Sequence, residues 1–211
     1  MKLGDGPLSF QEFIMREPLP LAAIHDAVLD FLRDRKDAAL FGAQAVNAYV
    51  NEKRMTEDVD ILSPRAADLA EELRAHLAER FEIAVRIREI GKGKGYRIYQ
   101  MRKPQNRHLV DVRPEPSLPR THTVDRVLVV EPAELIAQKV LALNSRKGSP
   151  KWGTDWRDLA QLLLTFPDLK ALQGAVRDRL EARAASAEAL QTWENLVAEE
   201  IREAPEDGEF S

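Results

Sequence analysis

The stretches that decide the fold are Phe41-Gly42-Ala43-Gln44-Ala45 and Arg54-Met55-Thr56-Glu57-Asp58-Val59-Asp60-Ile61-Leu62. If the second stretch is a strand, the Asp58 and Asp60 side chains lie on one face, because side chains alternate along a strand. Two carboxylates on one face repel each other unless a cation lies between them, and Mg²⁺ prefers such oxygen ligands. An Asp-x-Asp pair is also found in solvated turns and on edge strands.

The first stretch predicts a short buried strand that ends at Gly42 and is followed by a helix. Such a junction presents free backbone N–H groups and the positive end of the helix dipole, which together bind anions. Glycine also lets a phosphate group approach the backbone closely. A glycine needed only for a tight turn is the alternative. With the aspartate pair downstream, the sequence places a predicted phosphate site next to a predicted metal site.

A third carboxylate, Asp111, lies in the apolar segment His108-Leu109-Val110-Asp111-Val112-Arg113. Burying a carboxylate between two valines costs free energy unless the group is paired or bound to a metal. An exposed face on a half-buried strand is the alternative. Together with the aspartate pair, Asp111 favours a cluster of metal ligands.

Two predicted helices follow. In the first, which begins near Pro132, Lys139 lies on the apolar stripe, so its ammonium group must be buried, extend to solvent or meet an anion. The second begins near Thr154 and has Asp155 and Asp158 on one face. One of these aspartates is expected to cap the helix; the other could anchor Lys139, orient a substrate hydroxyl or act as a base.

These motifs resemble the nucleotidyltransferase superfamily. Its signature is an apolar residue, Gly, a small residue, a short helix and then Asp-x-Asp on a strand, with a third carboxylate on a later strand. Gly42, Asp58 and Asp60 match it directly. Ala43 stands where Ser or Gly is usual, so a hydroxyl contact to phosphate is absent while a backbone contact remains possible. The spacing Arg54-x-Thr56-x-Asp58-x-Asp60 is most similar to the AbiEii-type toxins and other toxin–antitoxin nucleotidyltransferases.

The resemblance implies a DNA polymerase β-like fold and transfer of a nucleoside monophosphate from an NTP to an acceptor hydroxyl, with release of pyrophosphate. It implies one or two Mg²⁺ ions held by Asp58, Asp60 and Asp111. The residues expected to act in catalysis are Asp58, Asp60, Asp111, Lys139 and Asp158. Those expected to bind or support the nucleotide are Gly42, Ala43, Arg54, Thr56, Lys139, Arg146 and Asp155.

The sequence leaves more than one class of acceptor open. The toxin-like branch implies a tRNA 3′ end or a protein as acceptor, with a cognate antitoxin as partner. The segment Arg86 to Arg107 holds eight Lys and Arg residues against the single acid Glu89, which suits triphosphate or RNA as well as a solvated hairpin. A small-molecule acceptor of the aminoglycoside type, or a non-catalytic protein that binds nucleotide or antitoxin, is the alternative.

The pattern of strands and helices, together with the resemblance, predicts an α+β fold. In this fold a nucleotidyltransferase-like mixed β-sheet flanked by helices is followed by a C-terminal helical part. The expected divisions are a catalytic domain at 1–130, a helical domain completing the cleft at 131–203 and a flexible tail at 204–211.

There are no cysteines, which excludes disulfides and thiolate zinc sites. The lack of a long apolar run or signal segment predicts a cytoplasmic protein without membrane contact.

Overall fold

The computed structural model describes residues 19–202, which form seven α-helices and a seven-stranded mixed β-sheet. The predicted α+β fold class is therefore confirmed. The chain divides into two compact units between Glu131 and Pro132. The roles expected for the two parts stay predictions, and the expected tail at 204–211 lies outside the described residues.

The first unit holds all seven strands of the sheet. Its elements are α1 (Leu21–Leu32), β1 (Ala39–Phe41), α2 (Gly42–Tyr49), β2 (Val59–Ser63), α3 (Ala66–Phe81), β3 (Val85–Ile90), β4 (Gly95–Gln100), β5 (Arg107–Pro114), β6 (Thr121–Val124) and β7 (Val127–Val130). The strand order is β3-β4-β5-β2-β1-β7-β6. The pairs β2–β5 and β1–β7 are parallel, and the other neighbouring pairs are antiparallel. The predicted strand–glycine–helix junction is present, with β1 ending at Phe41 and α2 beginning at Gly42 itself.

The strand register separates an apolar face of the sheet from a polar one. Across β4, β5 and β2, one face aligns side chains that are fully buried, namely Ile98, Val110 and Val59. The next position along each strand points to the other face, where the aligned residues are Arg97, Asp111 and Asp60. Helices α1 and α3 pack against the sheet and against each other. The polar row is therefore set by the same register that closes the core.

The described part of the second unit is helical. Its elements are α4 (Pro132–Ser145), α5 (Pro150–Thr165), a 3₁₀ turn (Pro167–Leu169), α6 (Ala175–Ala182) and α7 (Ala187–Ala198). The sequence prediction that this helix begins near Thr154 is wrong, because α5 begins at Pro150, a residue that suits the first helical position. Ser149 occupies the N-cap position, so neither predicted aspartate caps α5. No helix among residues 19–202 is both long and apolar enough to cross a membrane.

Candidate functional site

Gly42 lies directly against the Asp60 side chain at the β1–α2 junction. Its φ is +67°, and a Cβ atom built on it would lie 2.1 Å from Asp60 Oδ2. A side chain at this position would therefore be strained by the backbone and would also displace the carboxylate. The residue before it, Phe41, is paired with Asp60 across β1 and β2 and offers no side-chain cap to the first amides of α2. The glycine thus serves both the turn and the close approach of α2 to a carboxylate.

Three side chains, Asp58, His108 and Asp111, come together at one end of β2 and β5. Each offers one ligand atom, and these atoms all lie within 4.8 Å of one another. His108 Nδ1 lies 3.2 Å from Asp58 Oδ2, and His108 Nε2 lies 3.0 Å from Asp111 Oδ1. The structure therefore brings together two of the three carboxylates predicted as metal ligands and adds a histidine that the sequence analysis did not assign to the site.

An irregularity in β5 explains how His108 reaches Asp111. Residues three apart on a regular strand face opposite sides of the sheet. Here Ile98 is paired with Val110 but Tyr99 with His108, so the register shifts and one residue of β5 is left unpaired. This shift turns His108 to the face of Asp111, where its ring also lies 5.2 Å from that of Tyr99. Nothing in the sequence marks the irregularity.

Asp111 is a buried carboxylate held by two cationic or potentially cationic groups. Its exposed fraction is 5%, and Oδ1 accepts a hydrogen bond from Arg97 Nε at 3.0 Å as well as the contact with His108. Burial raises the pKa of Asp111, but His108 and Arg97 outweigh it and hold the pKa below its ordinary value. Burial likewise lowers the pKa of His108, yet its contacts with Asp111 and Asp58 leave that pKa raised. These contacts therefore favour the ionised carboxylate of Asp111 and the protonated imidazole of His108.

Asp60 lies beside this cluster rather than inside it. It is the partner of Asp111 in the parallel β2–β5 register, and neighbouring strands are about 4.8 Å apart. Its Oδ1 lies 3.6 Å from Arg113 Nη2, and the Arg113 guanidinium carbon lies 4.8 Å from the centre of the Phe41 ring. Asp60 is thus aligned with Asp111 on the polar face and held between Gly42 and Arg113.

The donor set fits a divalent cation. Two carboxylates and an imidazole are ligands that divalent metals accept, and their donor atoms already converge. In the described part of the chain, both polar contacts of Asp111 end on Oδ1, which leaves Oδ2 able to bind an ion. Because Asp111 is buried, a cation there would also offset the cost of burying its charge.

The loop that leads to Asp58 is fixed through its backbone. Asn47 Nδ2 donates to the Arg54 carbonyl at 2.8 Å, and the Arg54 amide donates to Asn47 Oδ1 at 3.1 Å. The Arg54 guanidinium donates to the Met55 carbonyl. The Thr56 hydroxyl is buried and makes no hydrogen bond with the described residues. The sequence analysis named Arg54 and Thr56 among the residues expected to bind or support the nucleotide, but it missed Asn47.

The remaining predicted site residues form an ion-paired group in the second unit. Lys139 Nζ lies 3.1 Å from Asp155 Oδ1 and 2.6 Å from Asp158 Oδ2, and both aspartates are buried. Arg146 Nη1 lies 2.7 Å from Asp155 Oδ2. Both aspartates therefore anchor Lys139, where the sequence analysis allowed for one. The apolar stripe of α4 does bury most of this lysine, whose side chain is 12% exposed.

Comparisons with known proteins agree with this fold. A family model described as "Nucleotidyl transferase AbiEii toxin, Type IV TA system" matches residues 26–210. The Megavirus polyadenylate synthase superposes with a TM-score of 0.56 and 17% identity, over 70% of this chain and 32% of that one. This chain thus spans about a third of the viral protein. The Helicobacter pylori protein JHP933 superposes with a TM-score of 0.52 and 12% identity, over 91% and 92% of the two chains.

At these identities the two structures show a shared fold alone, whereas the family model covers most of the sequence. A search of curated proteins found no match. The family match and the fold agree with the resemblance that the sequence motifs predict, namely an AbiEii-type nucleotidyltransferase. The chain therefore belongs to the AbiEii nucleotidyltransferase family, and it is a nucleotidyltransferase enzyme.

Proposed function

We propose that this enzyme transfers a nucleoside monophosphate from an NTP to a hydroxyl group of RNA, with tRNA as the first candidate, and releases pyrophosphate. The observation that carries the proposal is the convergence of Asp58, His108 and Asp111, whose ligand atoms lie within 4.8 Å of one another. Asp60 is aligned with Asp111 on the next strand, so the three predicted carboxylates belong to one region of the polar face.

The chain's own residues have separate roles in this proposal. Asp58 and Asp111, with His108 and the neighbouring Asp60, would hold Mg²⁺, and the bound ion would offset negative charge on the phosphates and lower the pKa of the attacking hydroxyl. The amides of Gly42 and Ala43 at the start of α2 face phosphate oxygens, because that helix end has no side-chain cap.

The ion-paired group of the second unit would act on the leaving pyrophosphate. Lys139 supplies positive charge for it, and Asp155 and Asp158 orient the lysine through the contacts at 3.1 and 2.6 Å. Arg146, held by Asp155, adds a second cation with a side chain that is 44% exposed. Arg54 and Thr56 support the loop that positions Asp58.

An RNA acceptor is favoured by the position of the basic segment. The register places Arg88 opposite Arg97 and Arg97 opposite Asp111, so cations continue the polar row from the carboxylates to the edge strand. Arg86 and Arg88 are exposed on β3. A row of cations in line with the carboxylates suits a strand of phosphodiesters, because phosphate contacts supply most sequence-independent affinity for nucleic acid.

The test is transfer of label from each α-labelled NTP to bulk tRNA or to total protein in the presence of Mg²⁺. Wild type should label tRNA, whereas Asp60→Ala should label nothing while melting close to the wild-type temperature. Asp68→Ala removes an aspartate whose side chain is 69% exposed and serves as the matched control. Label in protein alone would show that the acceptor is a protein and not RNA. Transfer by Asp60→Ala at the wild-type rate would overturn the proposed mechanism.

The family implies a toxin that acts with an antitoxin, and we extend this role to the present chain. Expression of wild type should then arrest growth, whereas Asp60→Ala at the same protein level should not. Growth arrest by both proteins would show that toxicity does not depend on nucleotide transfer.

A further inference from the structure

The turn between α4 and α5 forms a basic and aromatic surface. Residues 145–153 are all exposed, and they include Arg146, Lys147 and Lys151 without any acidic residue. The same run contains Trp152, whose exposed fraction is 39%. The other two tryptophans differ, since Trp193 is fully buried and Trp156 is partly buried. An exposed indole among cations is the composition that binds nucleobases together with phosphates.

The position of Trp152 on α5 makes its exposure unusual. Trp152, Trp156, Leu159 and Leu163 follow the i, i+4, i+7, i+11 spacing of one helix face. Leu159 and Leu163 are buried, with exposed fractions of 0% and 2%. Trp152 is therefore the N-terminal member of this stripe, and it lies beyond the part of the stripe that is buried. An apolar side chain in this position is available to stack with a ligand.

The indole is also close to the ion-paired group along the chain. Trp152 lies one turn before Asp155 on α5, which is about 5 Å along a helix axis. Asp155 holds both Arg146 and Lys139, at 2.7 and 3.1 Å. A nucleotide whose phosphates meet these two cations would bring its base within reach of the indole.

We propose that Trp152 is the stacking platform for the base of the bound nucleoside triphosphate. Lys147 and Lys151 add positive charge that attracts the phosphates of the same nucleotide. The inference rests on the proposed function, because it takes Lys139 and Arg146 as the phosphate contacts. Stacking uses the face that every base has, so the platform raises affinity for all four nucleotides rather than selecting one.

The experiment compares two probes on the full-length protein with Mg²⁺. One is the set of four α,β-methylene nucleoside triphosphates, and the other is inorganic tripolyphosphate, which has the phosphates without a base. Calorimetric titration of Trp152→Ala should show about 5- to 150-fold weaker binding of the nucleotides, the loss expected for one stacked base. Tripolyphosphate should bind as tightly as it binds wild type, and Trp152→Phe should restore most of the nucleotide affinity.

Lys151→Gln is the matched comparison, because it removes charge from the same helix turn and should weaken both probes to a similar extent. Unchanged nucleotide binding by Trp152→Ala would overturn the inference. An equal loss for both probes would also overturn it, since the indole would then only support the local structure. In both cases label transfer by wild type would leave the proposed function standing, whereas wild type that neither binds nucleotide nor transfers label would refute both.

Discussion

The substitution Gly42→Ala tests whether the close approach of α2 to Asp60 matters for catalysis. An L-residue at φ +67° costs about 1–2 kcal/mol in backbone strain. The added Cβ would lie 2.1 Å from Asp60 Oδ2, whereas ordinary contacts begin near 3.4 Å. The carboxylate must therefore move by more than about 1 Å, a displacement that can reduce turnover about 100-fold.

The assay is label transfer to acceptor at saturating NTP, together with a thermal melt of each protein. Gly42→Ala should lose about 100-fold in kcat and melt about 2–8 °C lower, as expected from the backbone strain in a chain of this length. Gly93→Ala is the matched control, because Gly93 has φ +86° and no atom within 4 Å of an added Cβ. It should melt lower without comparable loss of kcat. Equal losses of activity in the two variants would refute the argument from the Asp60 contact.

The remaining predictions concern the paired charges. Lys139→Met removes the cation that contacts both buried Asp155 and buried Asp158 and should destabilise the protein by about 3–5 kcal/mol, whereas Lys139→Arg should unfold near wild type in urea; similar curves for both would contradict this. His108→Asn should weaken Zn²⁺ binding more than Mg²⁺ binding in calorimetric titrations, because imidazole suits Zn²⁺ whereas Mg²⁺ prefers oxygen ligands; equal losses would remove His108 from the metal site. The hydrogen bond from Arg35 lowers the folded pKa of Asp37, so its stabilisation is present above the unfolded pKa of about 3.9 and is lost as pH falls through the folded pKa. Asp37→Asn should therefore be less stable at pH 7 and lose less stability than wild type on acidification, as measured by urea unfolding; parallel losses would contradict the assignment.

The features that were predictable from the sequence are those set by local patterns. The β1–α2 junction follows from an apolar run that ends in glycine, and the structure places it between Phe41 and Gly42. Asp111 was singled out because a carboxylate between valines is costly, and it is 5% exposed and paired. In each case the inference needed only the residue type and its immediate neighbours.

The features that were missed depend on how distant segments pair. His108 reaches Asp111 only because the β4–β5 register shifts between Ile98 and Tyr99, and strand alternation alone would place it on the opposite face. Arg97 meets Asp111 through the same long-range register. The helix start at Pro150 was missed because one of Asp155 and Asp158 was given a capping role, whereas in the structure both are buried against Lys139. A single sequence contains no direct signal for such pairings.

The residues that were missed are the ones that set the charge balance of the site. Asp111 is paired with Arg97, and Asp60 lies near Arg113. Because these ion pairs already offset part of the cost of burying the carboxylates, a metal ion gains only the difference between its own contacts and those it replaces. Metal affinity is therefore governed by the arginines as well as by the aspartates. The aspartates recognisable from sequence define the chemistry, while their partners across the sheet determine how strongly the site competes for its ion.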